Sequence, residues 1–350
     1  MKYNFDEKTN QMLRDLENQI LEEYDNSPET HVRVNLLPLH HNATSKYEKI
    51  VDENGNKTTV INEHNEEHDK TLVAIHEATP GKSDGTMPTK PDESVVGINR
   101  YEKLLRNQDK NHGYGTTIGY HAMIAQPGLM NRSEIVLYMP ATFSPDQVGN
   151  TNYAKYAYGI ERLCGDKQNY HLAIANQAML TAFVLKEMGY DKQAAMRHVF
   201  PHNFLAKNKK ECPARMLYAS RLLDKTKDGT ELSEEELEVM KEYVPWQVFH
   251  SLVGRFLERE KFPQELEEKF IYDLSDYEAY IENPKSYNYA ERRKDKSKVQ
   301  NLHSVYLTNE EGTIMPPKNS DRIMRAHEDG TSISTKHEIP RVSLPEDFER

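Results

Sequence analysis

Residues 197–217 concentrate the side chains of this 350-residue chain that could do chemistry: Arg-His-Val-Phe-Pro-His-Asn-Phe-Leu-Ala-Lys-Asn-Lys-Lys-Glu-Cys-Pro-Ala-Arg-Met-Leu. Two histidines, His198 and His202, precede Lys207, Lys209 and Lys210, and Cys212 is followed by Pro213, in a segment too irregular for an ordinary core helix. Imidazole nitrogen and thiolate sulfur are donors that zinc takes in four-coordinate protein sites, so His202 and Cys212 could supply two ligands. Taken singly, the same residues read as a small buried thiol and surface polar groups. A metal site needs a third ligand and a polar catalytic group from elsewhere.

Composition narrows the classes that such a site could serve. At 350 residues the chain exceeds the common single-domain size, so one large domain with an appendage, or two domains, is expected. A formal net charge of −11 argues against a protein that coats nucleic acid, because phosphate binding needs a concentrated basic surface. No apolar run approaches the roughly 18 residues that a membrane helix requires. The opening Met1-Lys2-Tyr3-Asn4-Phe5-Asp6-Glu7-Lys8 lacks the apolar core of a secretory signal, so the product is expected to start in the cytoplasm. With only Cys164 and Cys212, a disulfide framework is excluded, which leaves a single bridge, free thiols or metal ligation.

The elements that must position the candidates follow from periodicity. Met12, Leu13, Leu16, Ile20 and Leu21 recur at helical spacing over residues 7–25, with Ser27-Pro28 ending the helix. Val32 to Leu39 reads as a strand, with His40-His41 in a following surface loop. Residues 43–70 are polar, carry Asn54-Gly55-Asn56 and read as a hairpin or loop insertion; His64 and His68 lie there without an apolar face around them. Thr71 to Ile75 is a short apolar run of buried-strand type, and His76 comes directly after it, either a ligand or a hydrogen-bonded core residue. A helix is expected over 94–107 with Ser94 as N-cap, strands over 117–124 and 134–139 that pair as a hairpin, and a strand over 156–161 closed by Glu161. Leu172, Ile174, Ala178, Met179, Ala182, Phe183 and Leu185 give the clearest helix, over 171–188 with Gly189 as its stop. Further helices are expected over 231–243, 245–257 and 264–282; Arg292 to Lys298 is a basic run of linker type. Strands alternating with helices indicate an α/β fold with a mixed sheet.

Taken in order, His76, Tyr120-His121, Glu161, His202, Lys210 and Cys212 resemble the pattern of the zinc-dependent N-acetylmuramoyl-L-alanine amidases, the family of phage endolysins and peptidoglycan-recognition proteins. The resemblance runs over residues 32–256, through Val73-Ala74-Ile75-His76, Gly119-Tyr120-His121, Tyr158-Gly159-Ile160-Glu161, Lys210-Glu211-Cys212-Pro213 and Trp246-Gln247-Val248-Phe249. It implies a mixed central sheet flanked by helices and a catalytic domain over 31–260; the periodicity adds an N-terminal helix in 1–30, and after Pro263 the likeness stops, which leaves a C-terminal appendage over 261–350 that in a lysin often binds the cell wall. The resemblance further implies Zn2+ held by His76, His202 and Cys212 with a fourth position left for water. Glu161 would be the general acid and base, and Lys210 and Tyr120 the oxyanion donors. The implied substrate is peptidoglycan, cut between N-acetylmuramic acid and L-alanine by an enzyme of endolysin type made in the cytoplasm and acting on the wall after release.

The family pattern is not matched everywhere. His202 and Cys212 stand ten positions apart, wider than usual, and His198 in Arg197-His198 is a rival ligand. Pro140-Ala141-Thr142-Phe143 lacks the Trp-His pair that many members show. His121 is expected to support the floor of the site rather than bind metal. The competing functional readings are a peptidoglycan-binding module without catalysis and a cytoplasmic muropeptide amidase; the presence of Cys212 favours an enzyme.

Overall fold

The computed structural model describes residues 5–36, 47–51, 55, 57–61, 67, 69–78, 119–125, 134–145, 147, 151–163, 170–206 and 212–282. The helix expected over 94–107, His40, His41, His64, His68, Cys164, Lys207, Lys209, Lys210 and the basic run lie outside the described residues. In chain order the first elements are α1 (Glu7–Asp25), β1 (His31–Val34), β2 (Tyr47–Val51), β3 (Lys57–Ile61), β4 (Leu72–Ile75), β5 (Ala122–Ala125) and β6 (Glu134–Leu137). There follow α2 (Thr151–Ala154), β7 (Ala157–Arg162), α3 (Tyr170–Glu187), α4 (Lys192–Met196), β8 (Val199–Pro201), α5 (His202–Leu205) and α6 (Ala214–Lys225). The last are α7 (Glu234–Tyr243), α8 (Trp246–Leu257), α9 (Gln264–Lys269) and α10 (Leu274–Glu282).

Six strands make one mixed sheet in the order β1-β6-β5-β7-β4-β8, and β2 and β3 pair separately as an antiparallel hairpin. Within the large sheet β5, β7, β4 and β8 run parallel, and β6 turns back against β5 as the expected hairpin. Successive side chains of a strand point to opposite faces, and the core divides accordingly. Val73, Ile75, Ile124, Tyr158 and Ile160 face the helices, in one cluster with Ile174, Ala178 and Phe183 of α3. Leu72, Ala74, Ala157 and Phe200 form a cluster on the other face, as do Met123, Ala125, Val136 and Tyr138.

Helix α3 is buried nearly all round, because it lies between the sheet and the helices α1 and α8. A helix so enclosed must be largely apolar all round, and Asn176, Gln177 and Thr181, polar side chains that it does bury, are hydrogen-bonded. Gly189, at φ 80°, ends it in the left-handed region that a glycine adopts without a Cβ clash. Helix α1 begins at Asp6, whose carboxylate accepts the Thr9 N–H, and buries Leu13, Leu16, Ile20 and Leu21 as the periodicity predicts.

The stretch 197–217 contains β8, the edge strand of the large sheet, which is too short for its alternation to show in sequence. The segment after 260, placed by sequence in an appendage, is packed into the same core at least as far as Tyr272: Leu266, Phe270 and Tyr272 join the α3 cluster. The main chain bonds there too, Ala141 N–H donating to Ile271 O and Thr142 N–H to Tyr272 O, each at 2.9 Å.

Gly159 in β7 is required by a close approach. A Cβ built there would lie 1.2 Å from Oε1 of Gln147, a residue 4% exposed whose Nε2 donates to Ala157 O at 2.9 Å. Gly159→Ala must therefore displace a buried, bonded amide. It is expected to lower unfolding free energy by about 1–3 kcal/mol in denaturant titration. Gln147→Ala in the same chain should recover part of that loss; full wild-type stability of the single variant would refute the reading.

Candidate active site

The four parallel strands end on one edge, the place where open α/β sheets bind ligands, and His76, Glu161 and His202 sit there. His76 follows β4 directly. Its N–H donates to Ile160 O at 2.9 Å and its carbonyl accepts the Arg162 N–H at 3.2 Å, so it stands opposite Glu161 in the ladder. Paired residues share a face, which is the face away from α3, since Ile75 and Ile160 point toward it. On the other side of β4, Ile75 pairs with Pro201, and His202 comes next. Met123 pairs with Glu161 from β5. Met123, Glu161, His76 and His202 thus form a row across four strands.

The row is closed by Cys212, which precedes α6. The ligand atoms of His76, His202 and Cys212 all lie within 4.8 Å of one another and all three residues are buried; the two imidazole centroids are 4.4 Å apart. Tetrahedral N and S donors around zinc sit at roughly 2.0–2.3 Å from the ion, so one ion is within reach of all three. Two imidazoles and one thiolate also make the three-ligand set that leaves a fourth position open. The residues present therefore fit a zinc ion.

Around this centre, Tyr120 places its ring 5.1 Å from that of His76, edge to face, and is half-buried. Glu161 is 1% exposed. His121 does not join the ligands. Its Nδ1 accepts the Gly159 N–H at 2.9 Å, so the ring proton is on Nε2 and donates to Phe143 O at 2.7 Å. Burial, with the Lys70 ammonium as a second cause, holds the imidazole pKa well below its ordinary value. His121 is a neutral pin between Gly159 and Phe143.

His198, the rival ligand, stands outside the cluster. Its ring stacks on Tyr190 at 4.5 Å and its Nδ1 lies 2.6 Å from Ala194 O. Lys210 lies outside the described residues.

Sequence reasoning passed over the charged residues beneath the centre. Glu77 and Arg162 are buried with their side chains paired at 3.1 Å, and Arg215 lies 3.7 Å from the same carboxylate. The available signal was the charged pair Glu161-Arg162 ending a strand that is apolar on both faces: only one of the two can face the site.

Among the described residues no helix is long and apolar enough to cross a membrane. Comparison with protein-family models finds no match, and comparison with curated proteins finds none. Solved structures do match. A mutant endolysin from Bacillus subtilis is 16% identical, with a TM-score of 0.35 over 57% of this chain and 96% of its own. The catalytic domain of XlyA is 17% identical, with a TM-score of 0.34 over 60% of this chain and 99% of its own. Staphylococcus aureus hydrolase AmiA in complex with its ligand is 14% identical, with a TM-score of 0.37 over 69% of this chain and 90% of its own.

Proposed function

We propose that this chain is a zinc-dependent peptidoglycan amidase of endolysin type, which hydrolyses the amide joining the lactyl group of N-acetylmuramic acid to L-alanine. The observation that carries the reading is the convergence of His76, His202 and Cys212 beside the buried Glu161 on one face of the sheet. The ordered motifs that resemble the amidase family supply the substrate.

His76, His202 and Cys212 would hold the ion, which when bound polarises the scissile carbonyl and lowers the pKa of water toward ~7. Glu161 takes the proton of the attacking water and delivers it to the departing amine nitrogen of L-alanine. Water and amide thus become a carboxylic acid and an amine with no net proton change at the enzyme. The burial of Glu161 beside the ligand row supports this role. The Tyr120 hydroxyl donates to the carbonyl oxygen as it gains charge, and Lys210 is proposed as the second donor.

The test is to incubate the purified protein with cell-wall peptidoglycan and measure new L-alanine amino termini. Release is expected, with loss on chelation and return on adding Zn2+. No release by the zinc-loaded protein, or release of reducing sugar ends instead, would refute the amidase reading.

A further inference from the structure

Glu77 joins two ligands that stand far apart in the chain. It follows His76 directly, and its backbone N–H donates to Cys212 Sγ at 3.2 Å, with its carbonyl 3.6 Å from the same sulfur. Its side chain reaches on to the helix behind the cysteine, where Oε2 accepts the Arg215 N–H at 3.2 Å. Helix α6 has Pro213 at its N-cap position and no side-chain cap of its own. One of the N–H groups that a helix start leaves unsatisfied is thus capped by Glu77 from the segment that follows β4.

That carboxylate is itself held. Arg162 Nη2 donates to Glu77 Oε2 at 3.1 Å and to the Tyr170 hydroxyl at 2.8 Å. Its Nη1 donates to Gln177 Oε1 at 3.1 Å. Gln177 Nε2 then donates to the carbonyls of His76 and Ile160, both at 3.0 Å. Arg215 adds its guanidinium at 3.7 Å from Glu77 Oε1, stacked over Tyr170 and Tyr243 at 5.3 and 5.2 Å. The assembly fixes the main chain on both sides of the ligand row.

We propose that Glu77, clamped by Arg162 and Arg215, is a positioning residue that docks Cys212 and the first turn of α6 onto the strand end carrying His76, and so sets the spacing of thiolate and imidazole at the metal. The inference rests on the metal reading of this site. Residues that orient ligands from behind commonly govern affinity as strongly as they govern rate.

The experiment titrates Co2+ into the full-length metal-free protein. It reads the thiolate-to-cobalt charge-transfer band and then the Zn2+ affinity by competition, with circular dichroism on the same samples. Glu77→Gln keeps the size and removes the charge; affinity is expected to fall about 10–100-fold, with a weaker band at matched occupancy and unchanged secondary structure. Arg215→Met leaves the Arg162–Glu77 pair charge-balanced, and is expected to fold and lose affinity nearer the lower end of that range; it decides the matter if Glu77→Gln does not fold. Folded variants with wild-type affinity and band would overturn the proposal alone. A wild-type protein with no thiolate band would overturn the metal reading, and the proposal with it.

Discussion

Glu161→Gln is expected to cut amidase turnover by about 10²–10⁴-fold, equivalent to about 3–5 kcal/mol on the barrier, while Zn2+ content stays at the wild-type level. The reason is local. Glu161 faces the row of His76 and His202 from the adjacent strand, 1% exposed, and glutamine fills the same volume without being able to take or return a proton. The three atoms proposed to hold the ion belong to other residues, so zinc content should be unaffected. Melting temperature, followed on the same samples, is the control for folding. Three readouts therefore separate catalysis from structure: turnover, metal content and melting temperature. Turnover within tenfold of wild type would remove Glu161 from the proton path and shift attention to another base.

Local pattern made α1 and α3 legible, α1 because it buries residues at helical period and α3 because its apolar run is long and continuous. The β5–β6 hairpin was legible as well, since adjacent strands pair across a short connection. What could not be read is the non-local order. That β7 sits between β5 and β4, and that His76 faces Glu161, follows from pairings across 38 and 85 positions that no local pattern encodes. Strand β8 has three residues, fewer than a period-two pattern needs to declare itself. The segment after Pro263 misled for a different reason: α9 buries only Leu266, and the residues that anchor it, Phe270 to Tyr272, come after the helix.

The site shows the same division. His76 and Cys212 were singled out by residue type, and Tyr120 lies edge to face against His76. The charged network did not. Glu77 meets Arg162 and the main chain of Arg215 over separations of 85 and 138 positions, and in sequence each reads as an ordinary surface charge. Buried charges must be paired, but the partner is chosen by the fold.

Cys212→Ser should abolish metal response and activity together. Serine keeps the size and loses the thiolate; its hydroxyl stays protonated at neutral pH and offers zinc a poorer donor. The readout is thermal unfolding with and without Zn2+. A ligand that binds only the folded state stabilises it by about 2.7 kcal/mol at a hundred times its Kd. Wild type is expected to show a shift of that order and Cys212→Ser none. His202→Ala should behave like Cys212→Ser, because its ring lies 4.4 Å from that of His76. His198→Ala should keep the full zinc response while losing some stability, since that ring packs on Tyr190 and its Nδ1 is occupied with Ala194 O. The opposite pattern, with zinc response lost in His198→Ala and kept in His202→Ala, would overturn the ligand set. Retention in Cys212→Ser would remove the thiolate from the centre and leave the two imidazoles in need of a different third donor.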